Sequence, residues 1–181
     1  MPIRFGVILG CLLLAACAAA TPPPDTARLP QGTFGLADND VGAANLASSA
    51  FASARRIRDN PVDAARAAAA VDYLAGQLSS SPRWLSISPL IKQQMLQART
   101  DVRKVLGIAP DASSQAVVNA LLQFADAWQA GTQSSAIQAL EAPVFTMPPT
   151  QTQQLLSNMP PMSSVNTATM NAASAMRGSR L

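Results

Sequence analysis

The sequence contains no histidine, a single glutamate (Glu141) and only two cysteines, Cys11 and Cys17, both at its N-terminal end. Each scarcity removes a chemistry. Histidine is the side chain that titrates near neutrality and the commonest metal ligand, so its absence excludes Ser–His–acid and Cys–His catalysis. With one glutamate and nine scattered aspartates, paired carboxylates for acid–base work would have to be assembled by the fold from distant positions. The position of the cysteines excludes a disulfide framework and a cysteine-based zinc site in the rest of the chain. The expectation is a protein that is not an enzyme and carries no cofactor or metal.

Aromatic residues make up 4% of the chain and charged residues 13%, about half the ~25% usual for globular proteins. The net charge of +3, from 13 basic and 10 acidic residues, lacks the concentrated basic stripe that nucleic acid requires, so no nucleic-acid partner is expected. Although 49% of the residues are hydrophobic, alanine supplies much of that fraction. Large core side chains are therefore scarcer than the figure implies.

What the chain does have begins at its front. Residues 1–17 read MPIRFGVILGCLLLAAC, with a cation at Arg4, an apolar run from Phe5 to Leu14, and the small pair Ala15–Ala16 before Cys17. This is the form of a secretory signal, and the run is shorter than the ~20 residues a permanent membrane-spanning helix needs. The tetrad Leu14-Ala15-Ala16-Cys17 resembles the lipobox of bacterial lipoproteins. That resemblance implies cleavage between Ala16 and Cys17 by the lipoprotein signal peptidase, diacylation of the Cys17 sulfur, and usually acylation of the new N-terminus. Two or more acyl chains turn marginal membrane binding into a stable anchor. Ile8-Leu9-Gly10-Cys11 competes less well, because cleavage there would strand Leu12–Leu14 on the mature end. Ala18 stands where enteric lipoproteins held in the inner membrane have Asp, which implies outer-membrane residence facing the periplasm. The resemblance spans residues 1–17 and implies nothing about the fold downstream.

Residues 17–40 contain Pro22, Pro23, Pro24, Pro30, Gly32 and Gly35 and read as a flexible tether. Such a chain would set the next domain roughly 25–30 Å from the lipid. Residues 41–158 read as a helical domain. Val41, Ala44, Ala47, Phe51 and Ala54 recur at helical spacing, with Asp38 or Asp40 as cap and Arg55, Arg56 and Arg58 closing the helix against its macrodipole. Asn60-Pro61 starts an alanine-rich second helix ending at Ser79–Pro82, in which Arg66 is expected at the surface beside Asp63. Ser88-Pro89 starts a third, with Ile91, Met95, Ala98, Val102 and Val105 as its stripe and Gly107 as its stop. A fourth, from about Asp111–Ser114 to Gly131, carries Val117, Leu121, Phe124 and Trp128, and its broad apolar face suggests a central position. Ile137, Leu140 and Glu141 mark a shorter fifth helix.

Tyr73, Trp84, Phe124 and Trp128 are assigned to the core, where each aromatic removes ~150–250 Å² from water. The two Met-Pro-Pro elements, at 147–149 and 159–161, bracket a possible short helix from Thr150 to Asn158. They are read as loops closing against the bundle, with partner docking as the alternative. Residues 159–181 are small and polar and read as a flexible tail. The chain is thus expected to be all-α: a bundle of four to five helices behind a flexible tether, with a disordered C-terminal tail. Its expected role is that of a lipid-anchored, non-catalytic scaffold or accessory module for an envelope protein partner. The alternative is a helical carrier of a lipid or hydrophobic small molecule. The scaffold is preferred because the pattern shows no buried polar constellation to orient a ligand.

Overall fold

The structure, a computed structural model, describes residues 25–141 and 143–178. Among these residues the chain forms eight α-helices: α1 (Asn39–Phe51), α2 (Ala54–Ile57), α3 (Pro61–Ser80), α4 (Pro89–Leu106), α5 (Ser114–Gln129), α6 (Gln133–Gln138), α7 (Pro149–Ser157) and α8 (Ser163–Gly178). A 3-10 turn, Pro82–Trp84, lies between α3 and α4. The only β pairing among the described residues is an isolated antiparallel bridge between Ile108 and Phe145. The all-α expectation holds, with more helices than the four to five anticipated.

Local chemistry sets most of the boundaries. The Asn60 side chain accepts from the Asp63 N–H, Ser88 from Leu90 and Ser113 from Ala116, so α3, α4 and α5 each begin on a side-chain cap. Gly107 adopts φ 64° and ends α4 in the left-handed conformation, with the Ile108 N–H donating to the Arg103 carbonyl at 2.8 Å. The expected first helix is broken in two. The chain turns at Ala52 and Ser53, and Ser53 caps the short α2 that carries Arg55 and Arg56.

The central element is α3 rather than α5. Fourteen of its 20 residues are buried, and it packs against α1, α4, α5 and α7. A helix apolar all round belongs in the interior. Here the apolar surface is mostly methyl groups: Ala64, Ala65, Ala67, Ala68, Ala69 and Ala70 are all fully buried. Each contributes only about 0.8 kcal/mol by burial, so the run acts mainly by letting four neighbours approach closely. The bulk comes from elsewhere, with Trp84, Phe124, Leu74, Leu78, Met95 and Leu121 among the largest fully buried side chains. Trp128, expected in the core with them, is only partly buried and stacks on Phe124 at 5.5 Å between ring centroids.

Two segments read as loose are packed. Within the tether, Ala27 and Phe34 are buried, and Phe34 lies against Tyr73 with ring centroids 5.5 Å apart. A Cβ on Gly76 would overlap the Asp25 carbonyl and Thr26, so the absence of a side chain there is what admits the segment. Within the expected tail, α8 buries Val165, Ala168, Thr169, Ala172, Ala173 and Met176 on one stripe against α1 and α4. The stripe is made of small side chains, which is why it lacks an evident hydrophobic pattern. Both Met-Pro-Pro elements close onto the bundle: Met147 packs over Gly107, and Met159 is buried.

Candidate functional site

Cys17 and Ala16 lie outside the described residues, as does the signal segment 1–16. What the described residues do contain is two buried polar centres, contrary to the expectation that none would be present.

The first is built on Asp40, in the opening turn of α1. The Tyr73 hydroxyl donates to Asp40 Oδ1 at 2.6 Å and Trp84 Nε1 donates to Oδ2 at 2.8 Å. Arg83 Nη1 reaches Oδ2 at 3.4 Å while its Nη2 donates to Asp38 Oδ2 at 2.5 Å. The guanidinium lies 4.4 Å from the Trp84 ring centroid, a cation–π contact. Asp38 also accepts from the Asp40 and Val41 N–H groups as the cap of α1. Burial, reinforced by the bond to Asp40, pushes the Tyr73 phenol well above its ordinary value, so it remains a donor at physiological pH. The bond to Asp38 raises Arg83 above the usual arginine value. An open cleft of about 490 Å³, lined by Gln31, Asp38, Asn39, Asp40, Tyr73 and Arg83, lies beside this centre.

The second centre joins three helices and the N-terminal segment. Arg103 of α4 grips Asp72 of α3 from both sides, Nε to Oδ2 at 2.6 Å and Nη2 to Oδ1 at 2.9 Å. The remaining guanidinium nitrogen donates to the carbonyls of Ala112 (2.8 Å) and Pro110 (3.3 Å). Ser114, at the start of α5, donates its hydroxyl to Asp72 Oδ1 at 2.5 Å, and its N–H donates to the Asp25 carboxylate. Arg99 donates to the Asp25 carbonyl at 2.9 Å, and burial lowers its pKa from the usual arginine value. Ser114 is fully buried and its hydroxyl proton is committed to Asp72, so this pair ties elements together and leaves no hydroxyl exposed to a substrate. A cavity of about 390 Å³ lined by Arg99, Thr100, Arg103, Lys104, Thr146 and Met147 adjoins it.

A third feature is a groove of about 810 Å³ between residues 29–35, α1, α3 and α5. Leu29, Phe34, Leu46 and Leu122 give it apolar surface, and Arg66 and Asp126 give it charge. Arg66 does not pair with Asp63 as its spacing suggested. It crosses to α5, donating to Asp126 at 3.0 Å and to Gln129 at 2.8 Å. Arg56, from the basic run, donates to Ser49.

Sequence reasoning placed Tyr73 and Trp84 in the core and missed the polar tasks of both. Asp72, Arg83, Arg99 and Arg103 were not singled out, and Asp40 and Ser114 were read only as helix starts. Their carboxylate, indole and N-terminal-segment partners stand 31 to 89 residues away, beyond any local pattern. The one available signal was the placement of Asp72 on an otherwise apolar face of α3, between Ala68, Ala69, Ala75 and Gly76. Among the described residues there is no group of three or more His, Cys, Asp or Glu side chains that could hold a metal ion. No helix among them is long and apolar enough to cross a membrane. Compared with protein-family models, curated proteins and solved structures, the chain gives no match.

Proposed function

We propose that the protein is a lipid-anchored component of the bacterial cell envelope, acylated at Cys17, that acts as a non-catalytic scaffold or accessory interaction module at the periplasmic face of the outer membrane. The observation that carries this reading is the tetrad Leu14-Ala15-Ala16-Cys17 behind a short apolar run and a single cation. The packing of the segment from Asp25 onward supports it in one respect. An anchor at Cys17 would hold the bundle through only eight residues rather than through a long free tether. The surface offered to a protein partner is the groove of about 810 Å³, where apolar side chains sit beside the Arg66–Asp126 pair.

A second reading, a carrier of a lipid or hydrophobic small molecule, is favoured by the same groove, whose Leu29, Phe34, Leu46 and Leu122 would take an apolar ligand. The alanine run argues for the first, because on α3 small side chains bring helices together rather than leaving a space between them. Intact-mass measurement of the protein purified from envelopes tests the anchor: the expected product begins at Cys17 and carries acyl chains, and a Cys17→Ala variant loses them. Crosslinking in envelopes is expected to yield one recurrent protein partner. A stoichiometric lipid released by organic extraction, beyond the covalent chains, would favour the carrier.

A further inference from the structure

Among the described residues, four large apolar side chains are exposed: Leu36 (45%), Leu85 (77%), Leu90 (66%) and Met170 (52%). The first three belong to one end of the bundle. Leu85 follows Trp84 directly, and Leu90 opens α4 a few residues later. Leu36 is brought to the same place by Asp38, whose carboxylate holds Arg83. Met170 lies elsewhere, midway along α8, where the next residue, Asn171, donates to Gln94 of α4.

This is also the end nearest the point where the described chain begins. Asp25 is fixed at the level of Gly76 on α3 and Arg99 on α4. From Arg99 back to Leu90 is nine residues of helix, ~14 Å along the axis. From Cys17 to Asp25 is eight residues, which span at most ~28 Å when extended. A thiol held in a lipid surface can therefore reach Asp25 while Leu36, Leu85 and Leu90 touch that same surface. Along α3 the same asymmetry holds: Ser80, at the leucine end, is four residues or ~6 Å beyond the Gly76 that meets Asp25, whereas Pro61, at the other end, is 15 residues or ~22 Å away. The leucine end carries Arg83, although paired with Asp38 and Asp40, together with Lys92 near the start of α4.

We propose that the end of the bundle bearing Leu36, Leu85 and Leu90 rests on a phospholipid surface, giving the protein a second, apolar membrane contact beside the acylated Cys17. This rests on the reading of Cys17 as the lipid attachment site. The leucines enter the boundary between headgroups and acyl chains. The bundle is then seated on the membrane in one orientation, with the groove between α1, α3 and α5 at its side.

The test uses the full chain, processed in cells and reconstituted into vesicles of phosphatidylethanolamine and phosphatidylglycerol. A polarity-sensitive fluorophore is attached in turn through Leu85→Cys, Leu90→Cys and, as a control on α6, Gln138→Cys. All three positions are exposed, so folding is not at stake. The expected result is a blue shift and quenching by spin-labelled lipid at 85 and 90, with neither at 138. Acylated protein on vesicles whose label at 85 and 90 behaves like that at 138 overturns the seated orientation and leaves the anchor standing. Protein whose mass shows no acyl chain overturns the anchor, and the seated orientation with it.

Discussion

Asp40 and Asp72 are both buried carboxylates in the same small bundle, and they are satisfied by opposite means. Asp72 sits between helices and is matched by a buried cation, Arg103, in a two-point grip, with Ser114 filling a further acceptor site. Asp40 lies near the end of the bundle, takes its two short hydrogen bonds from the neutral donors Tyr73 and Trp84, and leaves its cation, Arg83, at the surface. A buried charge needs its lone pairs filled. It can be filled by countercharge where water is fully excluded, or by aromatic donors where a solvent-facing guanidinium is near enough to help. The first arrangement concentrates the cost of failure in one pair, and the second spreads it over several bonds.

The comparison can be broken most directly at Arg103. Arg103→Met would leave the Asp72 carboxylate buried without its partner, and urea unfolding is expected to show a loss of about 3–5 kcal/mol. Adding Asp72→Leu should recover part of that loss, since the buried charge is gone and only the Ser114 hydroxyl and the Ala112 and Pro110 carbonyls have lost a partner. A single variant as stable as the parent would show that Ser114 and Arg99 suffice. Trp84→Ala comes next: it removes both a donor to Asp40 and a fully packed ring, for an expected ~3–4 kcal/mol in the same measurement. Trp128→Ala, at a partly buried site, should cost clearly less.

Tyr73→Phe sharpens the comparison by deleting one neutral donor while keeping the ring, at an expected ~1–2 kcal/mol. The effect depends on pH in a defined direction. Tyr73 is raised above its ordinary value of 10.0 in the fold, so the unfolded chain ionises first. Its contribution is fully present below pH 10 and is lost as the pH rises beyond that value. The stability gap between parent and Tyr73→Phe should therefore narrow above that pH, and because Tyr73 is the only tyrosine, its phenolate absorbance should appear together with unfolding. Arg66→Ala provides the small end of the scale. Its partner Asp126 is largely exposed, and the change should fall below about 1 kcal/mol.

Much of the frame was legible from residue patterns, and the reasons are local. Asn60-Pro61, Ser88-Pro89 and Gly107 act within one helical turn, so α3 and α4 could be bounded by reading neighbours. α8 was not legible because its buried stripe of Val165, Ala168, Thr169, Ala172, Ala173 and Met176 differs little in polarity from its exposed face. The docked N-terminal segment was hidden by its prolines and glycines, which break helices without preventing a chain from lying along one. Phe34 and Leu29 were the residues in it that needed cover. The polar centres were illegible for a further reason: an aspartate on a helix face gives no indication of which distant arginine or indole will meet it.

The attachment of Asp25 decides how the molecule would respond to traction. Its carboxylate and carbonyl are held by Ser114 and Arg99, and Thr26 is wedged over Gly76. Tension arriving from upstream would thus be shared at once among three helices, loading the clasp sideways instead of peeling open a single strand of backbone. Under such a load the segment that composition suggested was slack would act as a strain-relief fitting.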